Sequence, residues 1–584
     1  MRLFIYKLKN SLIQGNYIQI RNQSLILNNT ESYKCMEHKI TNLHSDTFNF
    51  KHYLKNLSEL NLQQLKIDTL KSNCFRGLNK LKKLNLFWCQ INQIEPNVFS
   101  NLNSLQYLNL SFNNIKILEK HHLNGLFNLK VLELNNSRLE EIENEAFVDL
   151  VNLEQLHISL KNVKANYFNN LSNLKELYLN CEYIKLIDIN MFNKLVMLVK
   201  MHLINTNFST VQSNIFSGLA NLKELIFIDC FKIKKIEENA FNGLSNLEIL
   251  DISNLHIDIL YPQIFYDINN LKELIMINFQ VKNVQSISSL KKLKCLNSIH
   301  LSQGYFLNFI DHQFIKEIKY FQLKTGLISH TILNRFIDNL QIVDLNGNEE
   351  CLNQLQYEMV EQMFNLKVLK LSYFYIENST IFERFTNLEE LNLTCNKIKL
   401  PSFSSIIKHL KMLNKLYLID NEMPILDEET FSKNSNQLTE IYISGMDKNS
   451  INNINKPFQN LHQLTVLEIR NSYLESIDLN FVDGLYNLNQ LVLENCSLTR
   501  IDYGIFEICN KLERVDLSKN NLGIIDIDNF LSLSKLIQLN LGKFQFRIKS
   551  LDKLKCLSKL KFLDESDKVE ELLDLDNFYE FIIN

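Results

Sequence analysis

The sequence predicts an α/β-type repeat solenoid: a curved stack of coils with a parallel β-sheet on the concave face and short helical or irregular segments on the convex face. Two observations carry this. Residues 81–104, 105–128 and 129–152 align without gaps on the pattern LxxLxLxxNxLxxIxxxxFxxLxx, a period of 24. The pattern can be followed from Leu57 to the region of Leu551 about 21 times. Composition points the same way. Gly (13) and Pro (5) together are about 3% of 584 residues, against about 12% on average, which removes collagen and most turn-dense all-β folds. Alanine occurs only at Ala146, Ala165, Ala220 and Ala240, which disfavours helical solenoids with close helix crossings.

The elements follow in order. Residues 1–56 are expected to cap the stack, because an open edge would expose leucines and unpaired backbone. Within them, Tyr17–Arg21 and Ser24–Leu27 alternate like a β-hairpin, and Cys35, Ile40, Leu43 and Phe48 have the phase of a degenerate first coil. Residues 57–559 form the repeats, with clean later copies starting at Leu174, Leu198, Leu247, Leu464, Leu488 and Leu512, and the least regular stretch at 271–387. In each Leu-x-Leu, such as Leu84-Asn85-Leu86, a short strand turns both leucines inward and the middle residue outward. Strands stacked about 4.8 Å apart give a sheet roughly 100 Å long. Ile91, Ile94, Phe99 and Leu102 close the back of their coil, and Phe99, Phe147, Phe192, Phe216, Phe241 and Phe265 are expected to line up as an aromatic spine. Residues 560–584 are acidic; Ser566 or Asp567 is placed to N-cap a helix carrying Val569, Leu572, Leu573 and Phe578.

This pattern resembles that of the leucine-rich repeat family, and its Ile-x-x-x-x-Phe-x-x-Leu back half resembles the 24-residue typical class. That class dominates Toll-type receptor ectodomains, Slit-type guidance proteins and chaoptin-like adhesion proteins. The resemblance implies a leucine-rich repeat horseshoe. It implies that the Asn slot, filled by Asn113, Asn348, Asn396, Asn421 and Asn520, bonds the backbone of the turn, and that Cys89, Cys230 and Cys496 take the same slot. It also implies a receptor-like or adhesion-like binding module, extracellular or at the cell surface. The cysteine-rich caps of many secreted relatives are missing.

The residues bear on compartment differently. The N-terminal apolar run, Leu3 to Tyr6, is four residues long, whereas a signal peptide needs about 7–15. Nowhere do 18 apolar residues run together, so no transmembrane segment is expected. Read literally, this favours a cytoplasmic chain. No two of the eleven cysteines lie within ten residues, which points to buried free thiols rather than a disulfide framework or a zinc site. About ten Asn-x-Ser/Thr sequons occur, but Asn is about 13% of the chain and chance alone gives about eight.

A formal charge of −3 supplies no basic face, so no nucleic-acid partner is expected. No GxSxG, HExxH, GxxxxGK[ST] or GxGxxG occurs, and no catalytic residue, metal ligand or cofactor is assigned. His121-His122 falls in a back loop. His157 and His202 share an outward column with Tyr178 between them, two strands or about 9–10 Å apart, too far to share one zinc. The expected function is protein binding through the outward face of the sheet, with an intracellular scaffold or adaptor as the alternative. The candidate contact residues are Phe87, Trp88, Tyr107 and Phe112 in two early coils, then His157, Tyr178, His202, Ile204, Ile226 and Ile228. Phe87 and Ser111 are expected to face outward in one column, and Asn109 to face solvent.

Overall fold

The computed structural model describes residues 17–21, 24–27, 32–34, 42–43, 56–261, 263–284, 293, 295–301, 318–324, 340–347, 353–354, 363–398, 403–421, 430–431, 437–446, 456–522, 524–525, 527–541, 545–546, 557 and 562–564. They belong to two compact units, Met1–Leu301 with Phe309–Phe314, and Ser302–Asn308 with Ile315–Asn584. Both are parallel-sheet solenoids of stacked coils with little helix.

In the first unit the strand of each coil lies parallel to the strand of the next, one repeat on. Leu60 pairs with Leu84, Leu84 with Leu108, and Leu108 with Leu132. Leu156, Leu177, Met201, Leu225, Leu250, Leu274 and Ile299 continue the row. All of them are buried, and the intervening side chains face away from the core, so the strands carry the alternation expected of a sheet with one covered face. The coil starting at Leu153 is three residues short. Its strand nevertheless stays in register, and the deficit is taken up on the outer side, where Phe168 fills the phenylalanine slot. At the N-terminal end, Tyr17–Arg21 pairs antiparallel with Ser24–Leu27 and parallel with Glu59–Asn61.

The outer side is held by the phenylalanine row. Phe99, Phe147, Phe192, Phe216, Phe241 and Phe265 are all at most 1% exposed. Phe75 stacks on Phe99 at 5.9 Å, Phe192 on Phe216 at 6.2 Å, and Phe216 on Phe241 at 6.4 Å. Such ring pairs add about 0.5–1.5 kcal/mol beyond their buried area. Gly125 sits at φ 84°, and a Cβ there would lie 2.8 Å from the Ser100 Cα, so this turn of the outer face accepts only glycine without a shift.

The turn after each strand is pinned by the Asn slot. Asn113 accepts from the backbone N–H of Cys89 and Ile91, both at 3.0 Å, and donates to the carbonyls of Leu86 and Leu110. Asn520 does the same for Cys496, Leu498, Leu493 and Leu517. Asn396 bonds Phe374 N–H and the Leu371 carbonyl, and Asn421 takes the N–H of Asn396. Where cysteine fills the slot its thiol keeps the bond to the preceding coil, Cys89 to the Leu62 carbonyl, Cys230 to Leu203 and Cys496 to Ile469. It also approaches the carbonyl two residues back, of Phe87, Ile228 and Glu494, but it offers no acceptor like the Asn113 side-chain oxygen to the turn N–H groups.

The second unit repeats this arrangement from Tyr320–Lys324 through Ile342–Asn346, Val368–Ser372 and Glu390–Asn392 to Gln538–Asn540. Parallel pairing extends to Phe562–Asp564, inside the segment expected to begin the C-terminal cap. Its outer side carries four-residue helices such as Leu479–Val482, whose N-cap Asp478 accepts from Phe481 N–H. Cys35, Ile40, Phe48, Asn348 and the acidic segment from Ser566 onward lie outside the described residues, as does most of 285–339. Among the described residues, no helix is long and apolar enough to cross a membrane.

Candidate functional site

The outward sheet face of the first unit is built from columns of side chains, because parallel strands in register place equivalent positions side by side. The central column runs Asn85, Asn109, Glu133, His157, Tyr178, His202, Ile226, Asp251, Ile275, His300. In its middle, His157 and Tyr178 stack ring on ring, 4.0 Å between centroids and 4° between planes. His202 meets the other face of Tyr178 edge-on at 4.7 Å. Each member is tied down by a polar partner. Gln155 bonds the His157 ring at 2.8 Å, Tyr178 donates to Glu176 at 3.1 Å, and His202 bonds the Glu224 carboxylate at 2.7 Å. Burial lowers the basicity of His157, and burial next to Glu176 pushes the Tyr178 phenol up to about 12. Tyr178 therefore separates the two histidines, which belong to separate hydrogen-bonding pairs.

One column over, Ile204 and Ile228 are register partners on adjacent strands, with Ile228 36% exposed. Ile226 pairs with His202, so Tyr178, His202, Ile204, Ile226 and Ile228 form one continuous aromatic and aliphatic patch. Asp251 follows Ile226 in the column; burial raises its carboxyl, and the oxygen accepts from Ser253 N–H.

The structure corrects the reading of the coils at 81–128. Asn109 does not face solvent: it is 6% exposed, donates to Glu133 at 2.6 Å and accepts from Ser111 N–H. Ser111 is 2% exposed, and its hydroxyl accepts from Asn135 N–H. Outward direction on a strand is not exposure, since the next coil leans over these small polar side chains. Tyr107 joins the same cluster. Its hydroxyl donates to Glu133 at 2.9 Å, and burial pushes it up to about 12. It is a polar tether, while Phe87 and Phe112 make the aromatic contact, at 5.0 Å.

Trp88 and Phe112 stand in the turn just past the strand, in the left-handed region at φ 53° and 59°. Their N–H groups bond the carbonyls of Ser111 and Asn135, which repeats the turn from coil to coil and leaves the rings 54% and 45% exposed. They border a cleft of about 610 Å³ whose other walls include Asn136, Lys161, Glu182 and Tyr183. Tyr183 was not legible as a site residue. Its signal was an aromatic in the turn of the coil that follows the shortened repeat.

Along the strands Glu133, Glu176, Glu224, Asp251 and Glu273 stand with Lys83 and Lys200, and Lys130, Lys175, Lys223 and Lys272 flank them in ion pairs with Glu154 and Glu248, so acidic and basic groups are interleaved over the face. Back-loop His122 is 5% exposed, with its ring nitrogen accepting from Glu119 N–H and its basicity lowered by burial. No group of three or more His, Cys, Asp or Glu with metal-holding geometry exists among the described residues.

Comparison with known proteins agrees with the geometry. The family described as BspA type leucine rich repeat region matches residues 92–223 in six copies. The family described as leucine rich repeat matches residues 55–115, 224–278 and 462–522. No curated protein matches. Among solved structures, the crystal structure of a TLR13–ssRNA13 complex is similar, with a TM-score of 0.53, 19% identity and coverage of 90% of each chain. At that identity the likeness concerns the fold.

Proposed function

The chain is a leucine-rich repeat protein, and on that premise we propose that it is a non-enzymatic protein-binding module, receptor-like or adhesion-like. Its contact surface is the outward sheet face of the first unit. One observation carries the reading: His157, Tyr178 and His202 are packed into a fixed stack beside the partly exposed Ile204, Ile226 and Ile228. A rigid aromatic flanked by aliphatic side chains loses little conformational freedom on binding, which is what interface hot spots have in common. The similar solved structure holds a single-stranded RNA. Near Tyr178, Lys200 lies 3.4 Å from the Glu224 carboxylate and Lys175 is paired with Glu154 at 2.9 Å, so little positive charge is left to replace the counterions of a phosphate backbone, and the proposed partner is a protein.

The alternative, an intracellular scaffold, is favoured by a separate observation. Cys74, Cys89, Cys181, Cys230, Cys295, Cys395, Cys496 and Cys509 are all free thiols, the usual state in a reducing compartment.

The experiment is photo-crosslinking from two positions in cells that express the chain. A photoreactive side chain at position 228 should give a discrete adduct with a protein. The same group at position 127, where Phe127 is 49% exposed on the outer side, should not. Adducts from 127 and none from 228 would overturn the assignment of the face.

A further inference from the structure

We infer that the cleft beside Trp88 is a carbohydrate-binding site, distinct from the protein-binding face and independent of that reading. A sugar ring has two chemical sides. Its C–H groups present an apolar face that packs on aromatic rings, and its hydroxyls form a rim that needs donors and acceptors together. The cleft offers both. Trp88, Phe112 and Tyr183 border it with rings 54%, 45% and 56% exposed. Between them lie Asn114, Asn136 and Glu182, whose amide and carboxylate groups match a hydroxyl pattern.

The volume of about 610 Å³ falls within the about 300–1,000 Å³ of small-ligand clefts. Its walls are held before any ligand arrives. The backbone N–H groups of Trp88 and Phe112 are bonded to the next coil, Asn136 N–H is bonded to the Ser159 hydroxyl, and the Asn180 side chain fixes Glu182 N–H. Charge separates this ligand class from nucleic acid, whose bases would also stack on the rings. The lysine of the lining, Lys161, is paired with Glu140 at 2.8 Å, and Glu182 is acidic, so nothing there neutralises a phosphate.

The test is direct because Trp88 is the only tryptophan in the chain, so intrinsic fluorescence reports on this cleft alone. The intact protein is titrated with mannotriose, chitotriose and laminaritriose up to about 10 mM, a range that reaches millimolar affinities. At least one should shift the emission saturably. Tyr183→Ala, which leaves the reporter in place, should weaken that affinity about tenfold or more with an unchanged melting temperature. Two protein probes locate the source of the sugar. A response to ribonuclease B, which carries a mannose-rich glycan, but not to glycan-free ribonuclease A assigns the site to glycoproteins; a response to the free trisaccharides alone assigns it to free oligosaccharide. The inference is overturned by no saturable shift with any trisaccharide, by a shift that Tyr183→Ala leaves intact, or by oligouridylate binding more tightly than every sugar. None of these outcomes bears on the cross-link from position 228, so the two readings fail separately.

Discussion

Asn109 donates its side-chain amide to the carboxylate of Glu133 one coil further on, at 2.6 Å, and is covered in doing so. The position is therefore part of the structure rather than of the solvent-facing surface. Asn109→Asp replaces a donor by an acceptor aimed at a carboxylate. It should cost about 1–3 kcal/mol near neutral pH, the penalty of an unpaired buried polar group. Leu108→Asp, at a site with no exposure, should cost several kcal/mol. Acidification should recover part of the loss in Asn109→Asp, since protonating either carboxyl restores a donor. Thermal denaturation at two pH values checks this, and an unshifted Asn109→Asp protein would contradict it.

The two fillers of the turn slot should differ in worth. Asn113→Ala leaves the N–H groups of Cys89 and Ile91 and two carbonyls without partners inside the stack. A cost of about 2 kcal/mol or more is expected. Cys89→Ala removes only weak sulfur bonds, to the Leu62 and Phe87 carbonyls, and should cost less. Urea titration of both variants gives the comparison; equal midpoints would contradict the slot hierarchy.

Acid should weaken the fold through its buried imidazoles. Burial lowers the basicity of His157 and His122. The ring of His157 is surrounded by Glu133, Glu176, His202, Tyr178 and Gln155. A base whose folded value lies below its unfolded value of about 6.5 binds more protons when unfolded. The stability it contributes is complete above that value and is lost as pH falls below it. His157→Gln should flatten the stability profile on the acid side of neutrality; an unchanged slope would show that the ring titrates normally.

Thiol chemistry gives a fourth check. Burial pushes Cys89, Cys496 and Cys509 up to about 12 and Cys230 to about 11. Thiolate is the reactive form. Among the described cysteines, exposed Cys295 should label first in the native state at mildly alkaline pH, and all eight only after denaturation. Fast native labelling of Cys89 would contradict its place in the turn.

The solenoid was legible because its core is a one-dimensional pattern. The leucine pairs and Phe99 through Phe265 recur at a period the chain itself displays, and each is buried by copies of its own coil. The Asn slot was legible for the same reason. What depends on the neighbouring coil was not. Alternation points Asn109 and Ser111 outward, but only the position of Glu133 and Asn135 decides that they are covered. The cleft was hidden too, because it arises where left-handed turns at Trp88 and Phe112 face Tyr183, three coils beyond Phe112 and after the shortened repeat. Tyr107, Trp88 and Phe112 read alike in the sequence as outward aromatics. A hydrogen bond to Glu133 ties the first into the sheet, while the turn leaves the other two exposed.

The central claim is that the sheet face around Tyr178 binds a protein while the leucines behind it carry the fold. The most direct measurement is a calorimetric titration of the partner captured through position 228 against the native protein and against Tyr178→Ala combined with Ile228→Ala. The account predicts a loss of about 2 kcal/mol or more, roughly 30-fold in affinity, with a melting temperature close to that of the native protein. Full affinity in the folded double variant would contradict it.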